Sequence, residues 1–166
     1  SSGRYKKNLV LWNCMQQKSV QSRGTGSIEI MEIHHMKFTP IDRTTWERNS
    51  HYDYYTNLLK CGYSVTVSLD ITKLHQQVKE KGLKFYPAFV YCVSKQIAVT
   101  KEFRMGRDKE GNPGYYDILH PDYTIFHEDD HTFSDVWTGY TEDFKTFYKN
   151  MRDDMETYKD VKAVKA

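Results

Sequence analysis

The residues that could most readily do chemistry lie in the segment YTIFHEDDHTFSDVW, residues 123–137. At its centre the chain runs HEDDH from His127 to His131, which spells H-E-x-x-H. In zinc proteases the two histidines of this pattern lie on successive turns of a helix and bind one ion, with the glutamate beside them. The pattern therefore raises the hypothesis of a zinc site.

The residues around this pattern favour a turn instead of a helix. YTIF, before it, has the character of a strand, and Asp129 and Asp130 are poor helix-interior residues but common turn residues. In extended chain, residues four apart are separated by roughly 13 Å, at about 3.3 Å per residue, which is too far to share a metal ion. We therefore predict a hairpin turn in which His127 and His131 are solvated, and no metal.

The histidine pair His34 and His35 is a second candidate set of metal ligands. Adjacent residues point in different directions in either regular structure, so the pair is not favoured as a site.

Cys61 is a candidate reactive thiol, because the neighbouring Lys60 carries a cation that would lower its pKa. No histidine partner can be placed beside it from the sequence, so a packing role is favoured.

The chain has three cysteines, Cys14, Cys61 and Cys92, which is an odd number, and they have no C-x-x-C spacing. This count indicates neither a disulfide framework nor a zinc ribbon, and it fits a reduced compartment.

A tyrosine cluster in WERNSHYDYY could line a pocket. The consecutive Tyr54 and Tyr55 cannot both face one core, so one of them is free to line a wet cavity. From the residues alone, pocket lining and ordinary core packing stay open as alternatives.

The elements that must position these tyrosines can be read from local signals. Thr44-x-x-Glu47 is the spelling of a capping box, and Gly62 can supply a chain reversal, which together predict a helix over 45–59. The alternation of apolar and polar residues over 63–69 then predicts a strand with one buried face.

The rest of the chain continues this alternation of element types. Periodicity and turn residues predict a helix over 71–81 that is capped by Asp70 and ends before Gly82, a buried helix over 88–98, a hairpin turn at 109–114, strands at 123–127 and 132–138, and an amphipathic final helix capped by Thr141. This order predicts an α/β or α+β fold with a mixed β-sheet and flanking helices.

The length and net charge of the chain limit the classes of function that it can have. A chain of 166 residues is the size of one domain, and its formal charge of +2 gives no argument for a nucleic-acid partner. Residues 1–28 contain basic but no acidic residues, yet SSGR and QSRGTGS resemble linker. We predict a basic extension over 1–35, either a tag or a native arm, and a domain over 36–166. No apolar run approaches a membrane span, so we expect a cytoplasmic protein without a membrane partner.

Several segments in this order closely resemble the type A chloramphenicol acetyltransferases: WERNSHYDYY, CGYSVT, DITKL, KFYPAFVYCVSK, EFRMG, GYYDILHPDYTIFH, TFSDVW and METYK. The resemblance runs from Met36 to about Lys159. It implies a CoA-dependent acyltransferase fold, acetyl transfer from acetyl-CoA to a hydroxyl of chloramphenicol, antibiotic resistance, and a homotrimer with active sites between subunits. In that family the HEDDH segment is a turn between two strands and holds no metal.

The resemblance also implies which residues face the antibiotic. Arg48 matches an arginine that pairs with the aspartate of the family's catalytic motif. Asp135 is a departure, because the family has a small or apolar residue there, and this leaves the acceptor open. The residues that match substrate-binding positions are Tyr54, Tyr55, Leu59, Cys61, Tyr63, Phe133 and Asp135.

The family's catalytic base is the second histidine of an H-H-x-x-x-D-G motif, which takes the proton of the attacking hydroxyl. This sequence contains no such motif, since the residues after His34 and His35 are MKFTP. We therefore expect no catalytic residue in this chain, a fold that is incomplete at its C-terminal side, and no activity of the chain alone. A noncatalytic module that binds an aromatic ligand is the alternative, and a nucleic-acid-binding arm at 1–28 ranks last.

Overall fold

The computed structural model describes residues 6–11, 36–59, 62 and 64–162. In chain order, the elements are β1 (Lys6–Leu11), β2 (Phe38–Pro40), α1 (Asn49–Asp53), a π-helical turn (Tyr54–Leu58), β3 (Val65–Asp70), α2 (Thr72–Glu80), α3 (Phe85–Val99), a 3-10 turn (Lys101–Arg104), β4 (Met105–Arg107), β5 (Pro113–Tyr116), β6 (Asp122–His127), β7 (Thr132–Trp137) and α4 (Phe144–Tyr158). The predicted site residues Cys61 and Tyr63, together with Lys60, His34 and His35, lie outside the described residues.

The described strands form three small sheets, and each of their pairs is antiparallel. β1 pairs with β3, β5 lies between β2 and β4, and β6 pairs with β7. The α/β class is therefore confirmed, but the described strands pair in separate antiparallel groups where we expected one mixed sheet. The partner of β1 could not be anticipated, since β1 lies in the stretch that composition assigned to a tag or arm.

The main core forms where α3 and α4 pack with the β6–β7 hairpin. Its buried members include Tyr123 and Val136 from the hairpin, Tyr91 from α3, and Phe147 and Met151 from α4. Phe147 and Met151 lie four apart and so occupy one face of α4, where both are fully buried. This packing holds the hairpin against the two helices.

The β6–β7 hairpin confirms the strands predicted at 123–127 and 132–138. Its side chains alternate between a buried inner face and an exposed outer face, as the period of two requires. The turn at residues 108–112 likewise confirms the predicted β4–β5 hairpin. In its strand β5, an added Cβ on Gly114 would lie 2.5 Å from the Thr39 carbonyl oxygen, so the close approach of β2 requires glycine.

The first helix differs from the prediction in length and in start. The Asp42 carboxylate accepts hydrogen bonds from the Thr44 backbone N–H at 2.9 Å and from its hydroxyl at 2.7 Å, which makes a turn where the capping box was expected. Regular α-helix begins only at Asn49 and changes to the π-helical turn after Asp53. The helix predicted over 45–59 is therefore wrong over its first turn.

Three smaller expectations also fail. β3 is exposed along its whole length among the described residues, so neither of its faces is covered as predicted. Helix α3 is buried on one side only, with Tyr86, Cys92 and Val99 exposed. The cap of α4 is Asp143, whose side chain accepts the Thr146 backbone N–H at 2.7 Å, and not Thr141.

Helix α2 confirms the predicted helix, but it is shorter, Thr72–Glu80, and its N-cap is Ile71 and not Asp70. The Asp70 carboxylate accepts the Thr72 backbone N–H at 2.9 Å, and Gly82 has the left-handed φ of 64° that commonly ends a helix. In the described part of the chain, no helix is both long enough and apolar enough to cross a bilayer.

Candidate functional site

The tyrosine pair lies on the exposed side of the π-helical turn. Tyr54 is 48% and Tyr55 51% exposed, and their rings meet edge to face with centroids 5.2 Å apart. Leu58 and Leu59 continue the same exposed apolar stretch. We call these four residues the aromatic ledge. The alternative of plain core packing is therefore wrong for both tyrosines in the described chain.

The ledge is anchored by residues that sequence reasoning missed. The Arg43 guanidinium donates to Asn49 Oδ1 at 2.7 Å and forms an ion pair with Asp53, so it ties the preceding loop to both ends of α1. The same guanidinium lies 5.8 Å from the ring centre of Tyr52. A pair ten residues apart across an irregular loop has no periodic signal, which explains why the sequence did not reveal it.

Phe133 and Asp135 share the outer face of the β6–β7 hairpin. In the register, Phe126 pairs with Phe133, Thr124 with Asp135, and Asp122 with Trp137. We call these six residues the outer face. Phe126 and Phe133 are 59% and 55% exposed, so the apolar end of this face is accessible to a ligand.

The outer face also contains a second carboxylate that sequence reasoning missed. Asp122 lies on the same face as Asp135, diagonal to it across the two strands. The pKa of Asp122 is raised, first by partial burial and then by the negative charge of Asp135. The two carboxylates therefore repel each other and interact electrostatically.

The HEDDH segment forms a turn, as predicted, but one of its histidines is not solvated. His127 is buried on the inner face, where its Nε2 lies 2.8 Å from Ser134 Oγ. The Ser134 hydroxyl itself donates to the Val161 carbonyl. His131 stays exposed, with a left-handed φ of 56°. The prediction of two solvated histidines is therefore wrong for His127, because the alternation of β6 points it inward.

The carboxylates of the same turn bind a lysine. Asp129 and Asp130 both form ion pairs with Lys162, which follows α4. Hydrogen bonds from Lys162 and Thr132 lower the pKa of Asp130 to about 2. Within the described ranges, no cluster of three or more histidine, cysteine or acidic residues could hold a metal ion.

A general base next to the ledge would have to be a histidine that a neighbour orients. His51 precedes Tyr54 by three residues and is exposed. Its Nδ1 lies 3.5 Å from Ser50 Oγ, and no described carboxylate forms an ion pair with it. Arg48 is exposed and forms no ion pair within the described chain. Among the residues that the structure describes, the ledge therefore offers surface for binding without an oriented base beside it.

The structure groups the predicted site residues into two sets. Tyr54, Tyr55 and Leu59 lie together on the ledge, and Phe133 and Asp135 lie together on the outer face. The main contacts among described elements join α3 with α4 and α4 with β7, and they include none between the ledge and the hairpin.

The arrangement of these elements is that of a known acyltransferase fold. The chain superimposes on a solved structure called "chloramphenicol acetyltransferase" with a TM-score of 0.67, covering 72% of this chain and 56% of that chain at 24% sequence identity. This likeness shows the fold alone.

The sequence comparison goes further. The family model for chloramphenicol acetyltransferase matches residues 36–165, and the chain belongs to this family. A chloramphenicol acetyltransferase of Clostridium perfringens is 43% identical over 126 residues, which cover 76% of this chain and 58% of the relative. One of Clostridium butyricum is 41% identical over 74% of this chain and 56% of the relative, and one of Staphylococcus aureus is 40% identical over 75% and 59%. The resemblance seen in the sequence is confirmed, and the chain spans somewhat over half the length of these relatives.

Proposed function

We propose that this chain forms the acceptor-binding part of a cytoplasmic acetyltransferase that moves an acetyl group from acetyl-CoA to a hydroxyl of chloramphenicol. The proposal follows from the family match over residues 36–165 and from the names of the relatives. The structural observation that carries it is the exposure of Tyr54, Tyr55, Leu59 and Phe133. Large apolar side chains that remain accessible are what an aromatic acceptor needs for contact.

The ledge and the outer face would form two walls of the acceptor site. Cys61 and Tyr63 follow the ledge in sequence and would extend its wall. The two walls lie on elements without a main packing contact in the described chain. A homotrimer, in which the ledge of one subunit faces the outer face or the base of another, would bring such separate walls to one site.

The reaction needs a base that accepts the proton of the acceptor hydroxyl. The hydroxyl oxygen then attacks the thioester carbonyl carbon of acetyl-CoA, and the CoA thiolate leaves as the ester forms. The H-H-x-x-x-D-G motif that would supply the base does not occur in the sequence. In this proposal the base comes from residues other than those of this chain, and the exposed Arg48 is available to pair with the carboxylate of that motif.

Chloramphenicol binding tests the walls. The full chain should be stabilised by chloramphenicol in a thermal-shift or calorimetric titration, and the Tyr54→Ala/Tyr55→Ala double variant should bind about tenfold more weakly, because two ring contacts are lost. Tyr86→Ala, which removes an exposed tyrosine from α3, is the matched control and should leave the affinity unchanged. Equal affinity in the chain and in the double variant would contradict the placement of the wall.

Acetyl transfer tests the chemistry. The chain alone, given acetyl-CoA and chloramphenicol, should release no CoA thiol above background. A fusion to a segment that carries the family's H-H-x-x-x-D-G motif should gain transfer, and the same fusion with the motif's second histidine changed to alanine should lose it. Binding without transfer in the intact fusion would instead favour a noncatalytic binding module.

A further inference from the structure

The aromatic ledge lies on a change of helix type. The Leu59 backbone N–H donates to the Tyr54 carbonyl at 2.9 Å, which is the i→i+5 hydrogen bond of a π-helical turn. Successive side chains of a regular α-helix diverge by about 100°, and the wider π turn reduces this angle. The rings of Tyr54 and Tyr55 therefore meet edge to face while both stay about half exposed. The shape of the ledge depends on where the α-helix ends and the π turn begins.

Packing alone does not fix this point of change. No residue of α1 or of the π-helical turn, 49–58, is buried. A short segment with so little buried surface opens locally at a low cost in free energy. Its direction must therefore be set by polar and ring contacts.

The carboxylate of Asp53 lies at the point of change. Asp53 is the last residue of α1, and its Oδ1 accepts from the Arg43 guanidinium and, more weakly, from Asn57 Nδ2 at 3.4 Å. Asn57 belongs to the π-helical turn. One carboxylate oxygen thus connects the loop before α1 with the turn that carries the tyrosines.

Arg43 takes part in each contact that holds α1. Its Nε donates to Oδ1 of Asn49, the first residue of α1, at 2.7 Å. Its guanidinium also lies 5.8 Å from the ring centre of Tyr52, and the guanidinium of Arg107 on β4 lies 5.5 Å from the same ring. Both distances are within the range of a favourable cation–ring interaction. Arg43 therefore contacts both ends of α1 and the ring through which α1 meets β4.

We propose that Arg43 is a positioning residue for the acceptor: it fixes the point where α1 changes to the π turn and so directs the rings of Tyr54 and Tyr55. The inference rests on the proposed function, because it concerns the same wall of the same site. A guanidinium donates in several fixed directions in one plane, which a lysine ammonium cannot do. An exposed ion pair adds little to the stability of a domain, so the contacts of Arg43 should affect ring geometry and binding more than unfolding.

Chloramphenicol affinity gives the first test. Arg43→Gln should weaken binding to the full chain about threefold in a calorimetric titration, at a temperature where thermal unfolding shows each variant to be folded. Arg43→Lys, which keeps the charge but cannot donate to Asn49 and Asp53 together, should recover part of that loss. Lys149→Gln removes an exposed ion pair with Asp153 on α4, and as the matched control it should leave the affinity unchanged.

Tyrosine ring NMR gives a second test, which a merely stabilising role would not affect. In the parent chain the rings of Tyr54 and Tyr55, assigned through their phenylalanine variants, should show a nuclear Overhauser effect between them, since their centroids are 5.2 Å apart. Folded Arg43→Gln should lose or weaken this effect. The contact between the core rings of Tyr91 and Tyr140 should stay as an internal control.

The two tests together separate the inference from the proposed function. If Arg43→Gln changes neither affinity nor ring contact while the parent chain binds, the inference is wrong and the proposed function stands. Lower affinity with an intact ring contact would show that Arg43 acts otherwise and would also overturn the inference. Loss of the ring contact without loss of affinity would remove the ledge from the acceptor site, and no binding by the parent chain would overturn both proposals. If Arg43→Gln does not fold, the same two measurements on Arg43→Lys decide.

Discussion

At the scale of single residues, Thr138 shows how one buried hydroxyl connects two elements. It lies directly after β7, donates to Asp154 Oδ2 of α4 at 2.6 Å, and lies 2.8 Å from the Tyr123 hydroxyl, which can donate to it. Burial disfavours the charged phenolate and is the main cause that raises the pKa of Tyr123 to about 12. The hairpin and the helix are therefore joined by a short chain of hydrogen bonds inside the core.

Thr138→Val should lower the free energy of unfolding by about 1–3 kcal/mol, because the buried Tyr123 hydroxyl loses its partner while the shape of residue 138 is nearly kept. Urea denaturation followed by circular dichroism would measure the change. In the Tyr123→Phe background the same substitution should cost less, since no buried hydroxyl of residue 123 is then left unpaired. Strictly additive losses would contradict the hydrogen-bonded connection.

At the scale of elements, the turn between β6 and β7 connects the hairpin to the residues that follow α4. Ser134 donates to the Val161 carbonyl, and Lys162 binds the carboxylates of Asp129 and Asp130. The HEDDH segment, whose spelling suggested a metal site, thus has a structural role. Its charges hold the end of the described chain against the hairpin.

The Asp130→Asn variant should have a lower free energy of unfolding than the parent chain. The difference between the two proteins should shrink as the pH falls. The folded-state pKa of Asp130 is about 2, below the ordinary value of 3.8, so its contribution is fully present above about pH 4 and is lost as the pH falls through about 2. Urea titrations at several pH values should show the difference between the two proteins shrinking over that range. Glu128→Gln controls for the loss of one charge from the same turn, and a difference that persists unchanged to pH 2 would contradict the assignment.

The elements also show what the sequence could and could not predict. Alternation with a period of two predicted both strands of the β6–β7 hairpin. The same alternation places His127 on the same face as the buried Tyr123, so the burial of His127 could have been predicted from the sequence. Alternation likewise places Phe133 and Asp135 on one face.

Other features could not be predicted from the sequence. The start of α1 depends on the Asp42 carboxylate, which competes with a capping box, and the ion pair between Arg43 and Asp53 depends on tertiary structure. The exposure of β3 was not predictable, because alternation does not say whether either face is covered.

At the scale of the whole molecule, stability depends on the core that α3, α4 and the β6–β7 hairpin share within the described part of the chain. This core supports the hairpin on the side opposite the outer face, because Tyr123 and Val136 of the hairpin pack into the core. Any loss of packing between α4 and the hairpin should therefore be felt as cooperative destabilisation of the domain and not as local fraying.

Phe147→Ala should be the most direct test of that dependence. The side chain is fully buried, so its truncation leaves a cavity and should cost about 3–5 kcal/mol, a large share of the roughly 5–15 kcal/mol typical of a domain. Lys149→Ala, on the exposed side of the same helix, should change stability by less than about 0.5 kcal/mol, because it removes only a surface ion pair with Asp153. Urea unfolding monitored by tryptophan fluorescence and by circular dichroism should give coincident transitions for both variants. If Phe147→Ala cost no more than Lys149→Ala, or if the two probes separated, the hairpin and the helices would not share one core, and the outer face would be free to move independently of α4.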